Sequence, residues 1–211
     1  MKSIDSGKRR RKDRMALSSE EILDIFKNTG ALLEGHFVLT SGLHSKFYFQ
    51  CARVFQYPWY GEALCRDIAD HFKEGKIDVV ISPAIGGIIV GQEIARLLKV
   101  RAIFAERVEN KMTLRRGFTI SPGERVLVAE DVTTTGGSVK EVIDVVKEKG
   151  GKIVAVTAVV DRSGGKINFG VPYFSLFQME IENFPPDECP MCKAGSTAVK
   201  PGSRDLKYSG Q

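Results

Sequence analysis

A chain of 211 residues fits one domain with small additions and is long enough to bury a sizeable core. A hydrophobic share of 43% and a charged share of 27% are those of a soluble globular protein, and no stretch approaches the ~18 apolar residues of a membrane span. The net charge of +5 is concentrated in residues 1–14, which hold seven Lys/Arg and two Asp; the remainder has 24 residues of each sign, so no nucleic-acid partner is expected.

The amino-terminal segment MKSIDSGKRRRKDR has no apolar stretch behind it and is not a secretory signal. It reads as a disordered basic tail, native or vector-encoded, ahead of a start at Met15, and a cytoplasmic protein is expected. SSEEILDIFKNTG then reads as a helix, with Ser18 or Ser19 as N-cap, Glu21 in the first turn and Gly30 as its stop. GHFVLTSGLHSKFYFQCARVF predicts two short strands around a Ser-Gly turn, and residues 58–75 return to helical spacing.

From residue 77 the pattern alternates. IDVVIS (77–82) is a continuous apolar run of the buried parallel type, followed by the small-residue turn PAIGG and the helix IIVGQEIARLLK. RAIFAE and RVLVAED are the next strands, SVKEVIDVVKEKGG is an amphipathic helix closed by glycine, and KIVAVTAVVDR is a further strand. The order implies an α/β fold with a central parallel sheet and helices on its faces. Two stretches fall outside the alternation and are expected as irregular: the one between RAIFAE and RVLVAED, and the Pro- and Gly-rich end after residue 170.

Cys51 and Cys65 stand alone and read as small core hydrophobes. Cys189 and Cys192 form a CPMC pair, which supplies two of the four ligands that zinc needs. His36, His44 and His71 are remote from it in sequence and show no ligand spacing. A reduced structural knuckle is therefore expected, with a disulfide or a metal shared between subunits as alternatives, and no protein-held metal site is assigned.

Ligands of open parallel sheets bind beyond the carboxyl ends of the strands. There RVLVAED ends in Glu130 and Asp131, followed by Val132, Thr133, Thr134, Thr135, Gly136, Gly137 and Ser138 before a helix begins. The glycines allow a tight turn, and the hydroxyls and helix-start amides form a phosphate cradle. The acids are poor phosphate ligands but suit vicinal hydroxyls or a hydrated magnesium ion. Phosphate beside diol describes a ribose 5-phosphate. There is no GxxxxGK(S/T), no GxGxxG after a strand and no GxSxG, which removes the common nucleotide-binding and triad-hydrolase loops.

VLVAEDVTTTGGS resembles the phosphoribosyl pyrophosphate (PRPP) signature of the type I phosphoribosyltransferases, and the resemblance runs from Met15 to Arg204. LTSGLHSKFYF, SPAIGG, ERVENKMTLRRGF and VVDRSGG narrow it to the orotate-specific branch. The resemblance implies the type I phosphoribosyltransferase fold, with a hood formed by roughly 15–57 and a C-terminal segment. It also implies PRPP and orotate as substrates, Mg2+ held mainly by PRPP, and a homodimer whose mobile active-site loop reaches the neighbouring subunit. By position, Glu130 and Asp131 would hold the ribose hydroxyls and residues 132–138 the 5'-phosphate. Arg107 and Lys111 would assist the departing diphosphate, with Arg115 or Arg116 in support, and SPAIGG would present backbone amides to it. Thr134, Arg162, Tyr48 and Phe49 would contact orotate. The sequence departs from the family's frequent residues at Thr40 and Ile85-Gly86, so no phosphate-directed lysine is carried over from those places, and in the mobile loop at Val108 and Thr113, where the family often has a second Lys and a His. The alternatives are a transferase for another nucleobase and a PRPP-sensing regulator without catalysis.

Overall fold

The computed structural model describes residues 16–39 and 41–201. The basic tail and Thr40, about which the sequence raised expectations, lie outside the described residues. Helix α1 (Ser19–Asn28) starts on a reciprocal cap: the Ser18 hydroxyl accepts from the Glu21 amide at 3.2 Å, and the Glu21 carboxylate accepts from the Ser18 amide at 2.8 Å. Its Ile22, Ile25 and Phe26 point inward. Strands β1 (Leu32–Val38) and β2 (His44–Phe49) form an antiparallel hairpin, followed by α2 (Ala52–Phe55) and α3 (Pro58–Phe72).

The alternating part supplies β3 (Val79–Pro83), α4 (Gly86–Leu98), β4 (Arg101–Val108), β5 (Lys111–Leu114), β6 (Arg125–Thr133), α5 (Gly137–Glu148), β7 (Lys152–Asp161) and β8 (Tyr173–Gln178). These strands form one sheet in the order β5-β4-β3-β6-β7-β8, parallel except for β5. The chain closes with β9 (Asn183–Phe184) and α6 (Pro190–Lys193). β9 pairs with β2, so a small second sheet, β1-β2-β9, joins the amino-terminal hairpin to the carboxyl-terminal segment.

Strand periodicity decides which residue serves which layer. Val80, Leu127 and Ala129 face the core that contains Leu64 and Ile68 of α3 and Val90 and Ile94 of α4. Their neighbours Val79, Ile81, Val126 and Val128 face Val142, Ile143 and Val146 of α5. Both faces are covered, which is why these strands read as unbroken apolar runs.

Both stretches expected as irregular contain strands. β5 has only four residues on the sheet edge, and β8 is half-buried along most of its length, so neither shows a continuous apolar run. The hairpin turn between β4 and β5 is Glu109-Asn110, with φ of 49° and 66°; positive φ at both central residues is the two-residue turn that matches strand twist.

Candidate active site

From β3 the chain moves outward to β4 on one side, then returns to add β6, β7 and β8 on the other. A crevice opens where the direction reverses, beyond the carboxyl ends of β3 and β6. Two glycines let its walls meet. A β-carbon on Gly86 would stand 2.4 Å from Asp131 Oδ2, and one on Gly87 would stand 3.0 Å from Glu130 Oε1. The turn entering α4 therefore touches both acids. The Ala84 amide is spent on the Ala105 carbonyl at 2.7 Å, and the Ala84–Ile85 peptide is cis. The amides left for a ligand are those of the first turn of α4, where intrahelical partners are missing.

On the β6 side an open cavity of about 240 Å3 is lined by Arg107, Glu130 and the run from Val132 to Val139. Gly136 has φ of 74° and packs so closely on Phe169 that a β-carbon would lie 2.7 Å from its ring. The Thr134 and Thr135 side chains are exposed and Ser138 is half-exposed, at the start of α5. Thr133 behaves differently: it is buried, and its hydroxyl is 2.6 Å from the Tyr173 hydroxyl, which turns it away from a ligand. Thr134, Thr135 and Ser138 are left as the cradle's hydroxyls.

Glu130 is 7% exposed, and its Oε1 accepts from the Asp131 amide at 3.1 Å. Burial first, and the Asp131 charge second, push its carboxyl up to about 9. At neutral pH Glu130 is thus a neutral acid able to donate a hydrogen bond, and the negative charge of the pair comes from Asp131. A diol meets one donor-capable and one accepting carboxyl group.

The cations are divided by the fold. Arg107 lies at the cavity edge, held by Glu141 at 2.7 Å, with Ser138 Oγ 3.5 Å away. Arg115 and Arg116 both pair with Glu106, at 3.8 and 3.0 Å. Lys111 is exposed at the first position of β5 and makes no ion pair among the described residues. The segment carrying them is a hairpin in its first half, where the sequence suggested a loop.

Arg162 follows β7 and donates its amide to the Thr133 carbonyl at 2.9 Å, which seats it beside the cradle. Its Nε is buried without a hydrogen-bond partner, and burial lowers the guanidinium's pKa, opposed by the nearby Tyr48. Tyr48 and Phe49, being consecutive on a strand, point to opposite faces. Tyr48 approaches Arg162, whereas Phe49 is buried edge-on against Phe26 at 4.7 Å and belongs to the core. The expected ligand contact of Phe49 is corrected on that ground.

Sequence reasoning passed over Asp161, which is fully buried. Its carboxylate accepts from the amides of Ser163 and Gly165 at 2.8 and 3.0 Å and from the Ser163 hydroxyl at 2.7 Å. It fixes the turn after β7 and so the direction of Arg162; the signal was the small-residue run after Asp161 in VVDRSGG. The expectation of a cysteine pair without histidine partners is also overturned: the fold brings His36 and His44 to Cys189 and Cys192, all four ligand atoms lying within 4.8 Å of one another.

With this geometry in view, comparison with known proteins gives a consistent result. Residues 61–187 match the phosphoribosyl transferase domain family. The orotate phosphoribosyltransferase of Caldanaerobacter subterraneus subsp. tengcongensis is 56% identical over 190 residues, covering 90% of this chain and all of that protein. That of Heliobacterium modesticaldum is 57% identical over 190 residues, covering 89% of this chain and all of that protein. Among solved structures, orotate phosphoribosyltransferase from Aeropyrum pernix superposes with a TM-score of 0.65 at 24% identity, over 75% of this chain and 94% of that one. That likeness speaks for the fold.

Proposed function

The chain belongs to the orotate phosphoribosyltransferase family, and we infer that the crevice between β3 and β6 carries out that family's reaction. The enzyme transfers ribose 5-phosphate from PRPP to N1 of orotate, giving orotidine 5'-monophosphate and pyrophosphate, a step of pyrimidine biosynthesis. The N1–C1 bond forms as the bond from C1 to the diphosphate oxygen breaks, the electron pair leaves with the diphosphate, and the N1 proton is released.

Each residue has a part in this reading. Thr134, Thr135, Ser138 and the opening amides of α5 hold the 5'-phosphate at a helix N-terminus. Glu130 donates to one ribose hydroxyl and Asp131 accepts from the other, placing a negative charge near the cationic ring of the transition state. The first turn of α4 receives the diphosphate, and Arg107 and Lys111 offset the charge it gains. Arg162 meets the orotate carboxylate and Tyr48 covers the ring. No side-chain nucleophile is needed. The Asp131 carboxylate beside a phosphate cradle also fits a magnesium ion held mainly by the substrate, since magnesium is commonly bound by one or two carboxylates plus substrate phosphates. When bound, the ion neutralises the diphosphate.

The observation that carries the orotate assignment is the buried, unpartnered Nε of Arg162 beside Tyr48. A buried donor without a partner is costly, and a carboxylated base relieves it. Loss of orotate absorbance on adding PRPP and magnesium, run beside uracil and adenine, tests this. Equal use of uracil and orotate would defeat it.

We further assign residues 15–57 and the carboxyl-terminal segment to a hood over the base, and a homodimer in which the β4–β5 hairpin serves the partner's site. Exposed Lys111 at the hairpin turn supports the second assignment, because a cation meant for the hairpin's own crevice has no anchor there. The four free cysteines suit a reducing cytoplasm.

A further inference from the structure

Four side chains from three separate stretches of chain meet outside the crevice, their ligand atoms all within 4.8 Å of one another. His36 and His44 sit on neighbouring strands of the β1–β2 hairpin, and His36 Nε2 is 2.9 Å from His44 Nδ1. Cys189 and Cys192 bracket the start of α6. Cys189 Sγ lies 3.5 Å from His36 Nε2, and Cys192 Sγ lies 3.7 Å from that nitrogen and 3.2 Å from His44 Nδ1. Cys189 is fully buried, and His36 and His44 are 7% and 8% exposed.

These separations, from 2.9 Å to no more than 4.8 Å, bracket those a tetrahedral ion imposes. With metal–nitrogen distances of about 2.0–2.1 Å and metal–sulfur distances of about 2.3 Å, ligand atoms stand roughly 3.3–3.8 Å apart. A second observation sets the protonation. His36 Nδ1 is 3.1 Å from the Ser196 carbonyl, so Nδ1 donates and the lone pair falls on Nε2, the atom facing the thiols. Ser196 is itself held by its backbone amide, which donates to the Met191 carbonyl at 3.0 Å, and Gly195, with φ of 79°, turns the chain back toward His36. The turn after the cysteines therefore presents the carbonyl that orients the histidine. The third histidine, His71, is elsewhere, stacked on Phe174.

We propose that His36, His44, Cys189 and Cys192 bind a structural zinc ion that clamps the carboxyl-terminal segment onto the β1–β2 hairpin. Two imidazoles and two thiolates suit zinc among the common divalent ions, and four protein ligands leave no open position for catalysis. The polypeptide links that the ion reinforces are sparse. β9 has two residues in register with β2, and Val199 exchanges backbone hydrogen bonds with His36 and Val38 at 2.8 and 2.9 Å. So small a sheet is marginal without a staple. The consequence for the active site runs along β2, which carries His44 at one end and Tyr48, the neighbour of Arg162, four residues on.

The test is metal analysis of the full chain, purified without chelators and incubated with zinc before gel filtration. It does not depend on catalysis, so its failure is separate from failure of the transferase assignment. About one zinc per chain is expected, falling at least tenfold in Cys192→Ser and in His44→Ala. Less than a tenth of an equivalent in the parent protein, roughly, or full retention in the Cys189→Ser/Cys192→Ser double variant, would overturn the proposal. Iron in place of zinc would overturn the zinc assignment. Should the variants fail to fold, cobalt substitution of the parent protein decides. Intense tetrahedral d–d bands with a thiolate charge-transfer band support the site, and a weak octahedral spectrum removes it.

Discussion

Gly86 lies directly against the Asp131 carboxylate, with room for no β-carbon between them: one would stand 2.4 Å from Asp131 Oδ2. The contact joins the turn that enters α4 to the acids that end β6, which in the proposed reaction are the diphosphate and ribose sides of one substrate. Gly86→Ala leaves the backbone allowed but forces the carboxylate away. A misplacement of about 1 Å costs on the order of 100-fold in rate, so kcat/KM for PRPP should fall by that order with the melting temperature little changed. Steady-state kinetics beside a thermal melt would show it, and an unchanged kcat/KM would take Asp131 out of the reaction.

The raised carboxyl of Glu130 makes stability depend on pH in a definite direction. Folded Glu130 keeps its proton up to about 9, whereas the unfolded chain releases it in the ordinary glutamate range. Between those values the native state binds more protons. Its contribution is fully present below the ordinary range and drains away as pH rises toward the folded value, by at most about 1.4 kcal/mol per pH unit. Glu130→Gln keeps the neutral shape and removes the slope. Urea unfolding near pH 5 and near pH 8 should show a decline in the parent that the variant lacks; parallel declines would mean Glu130 is ionised in the folded protein.

Lys111 offers a clean separation of catalysis from folding, because its ammonium makes no ion pair among the described residues and sits on an exposed hairpin. Lys111→Ala should leave the melting temperature unchanged and lower kcat by about 100- to 1000-fold, the usual cost of one lost electrostatic donor. If the proposed dimer shares its hairpins, mixing Lys111→Ala chains with Asp131→Asn chains should then restore part of the activity, since a mixed dimer would have one site with an intact crevice and an intact hairpin. No recovery after subunit exchange would confine the hairpin to its own subunit.

What the sequence could show followed from strong local signals. β3, β6 and β7 are buried on both faces, so their apolar runs and the acid-threonine-glycine turn were legible without coordinates. β5 and β8 are the two edge strands, short or only half-buried, and without an unbroken apolar run they were hidden. Tyr48 and Phe49 looked equivalent because strand facing is set by what packs against the strand, here Phe26 on one side and Arg162 on the other. Thr133 could not be told from Thr134, since only the fold places Tyr173 within reach of one hydroxyl. The Cys-His cluster was the least legible: His36 and Cys189 are 153 residues apart, and spacing rules register only ligands close in sequence.

Arg162 should trade stability for binding. Its Nε is buried without a partner, and desolvation also disfavours its charge, so the ligand-free protein bears the cost of an unmet donor. Such a group costs about 1–3 kcal/mol, and a chain of this size changes its melting temperature by about 2–4 °C per kcal/mol. Arg162→Met retains much of the volume and has no donor to satisfy. The ligand-free variant should therefore melt at the same temperature as the parent or a few degrees higher. Orotate should raise the melting temperature of the parent, as any ligand selective for the folded state does, and should lose most of that effect in the variant. Uracil, which lacks the carboxylate, should stabilise neither strongly. Differential scanning fluorimetry on both proteins with both bases reads all of this. A variant that orotate stabilises as well as it does the parent would show that the carboxylate is recognised elsewhere, and the assignment of Arg162 to the base would fall while the cradle at residues 134–138 would stand untouched.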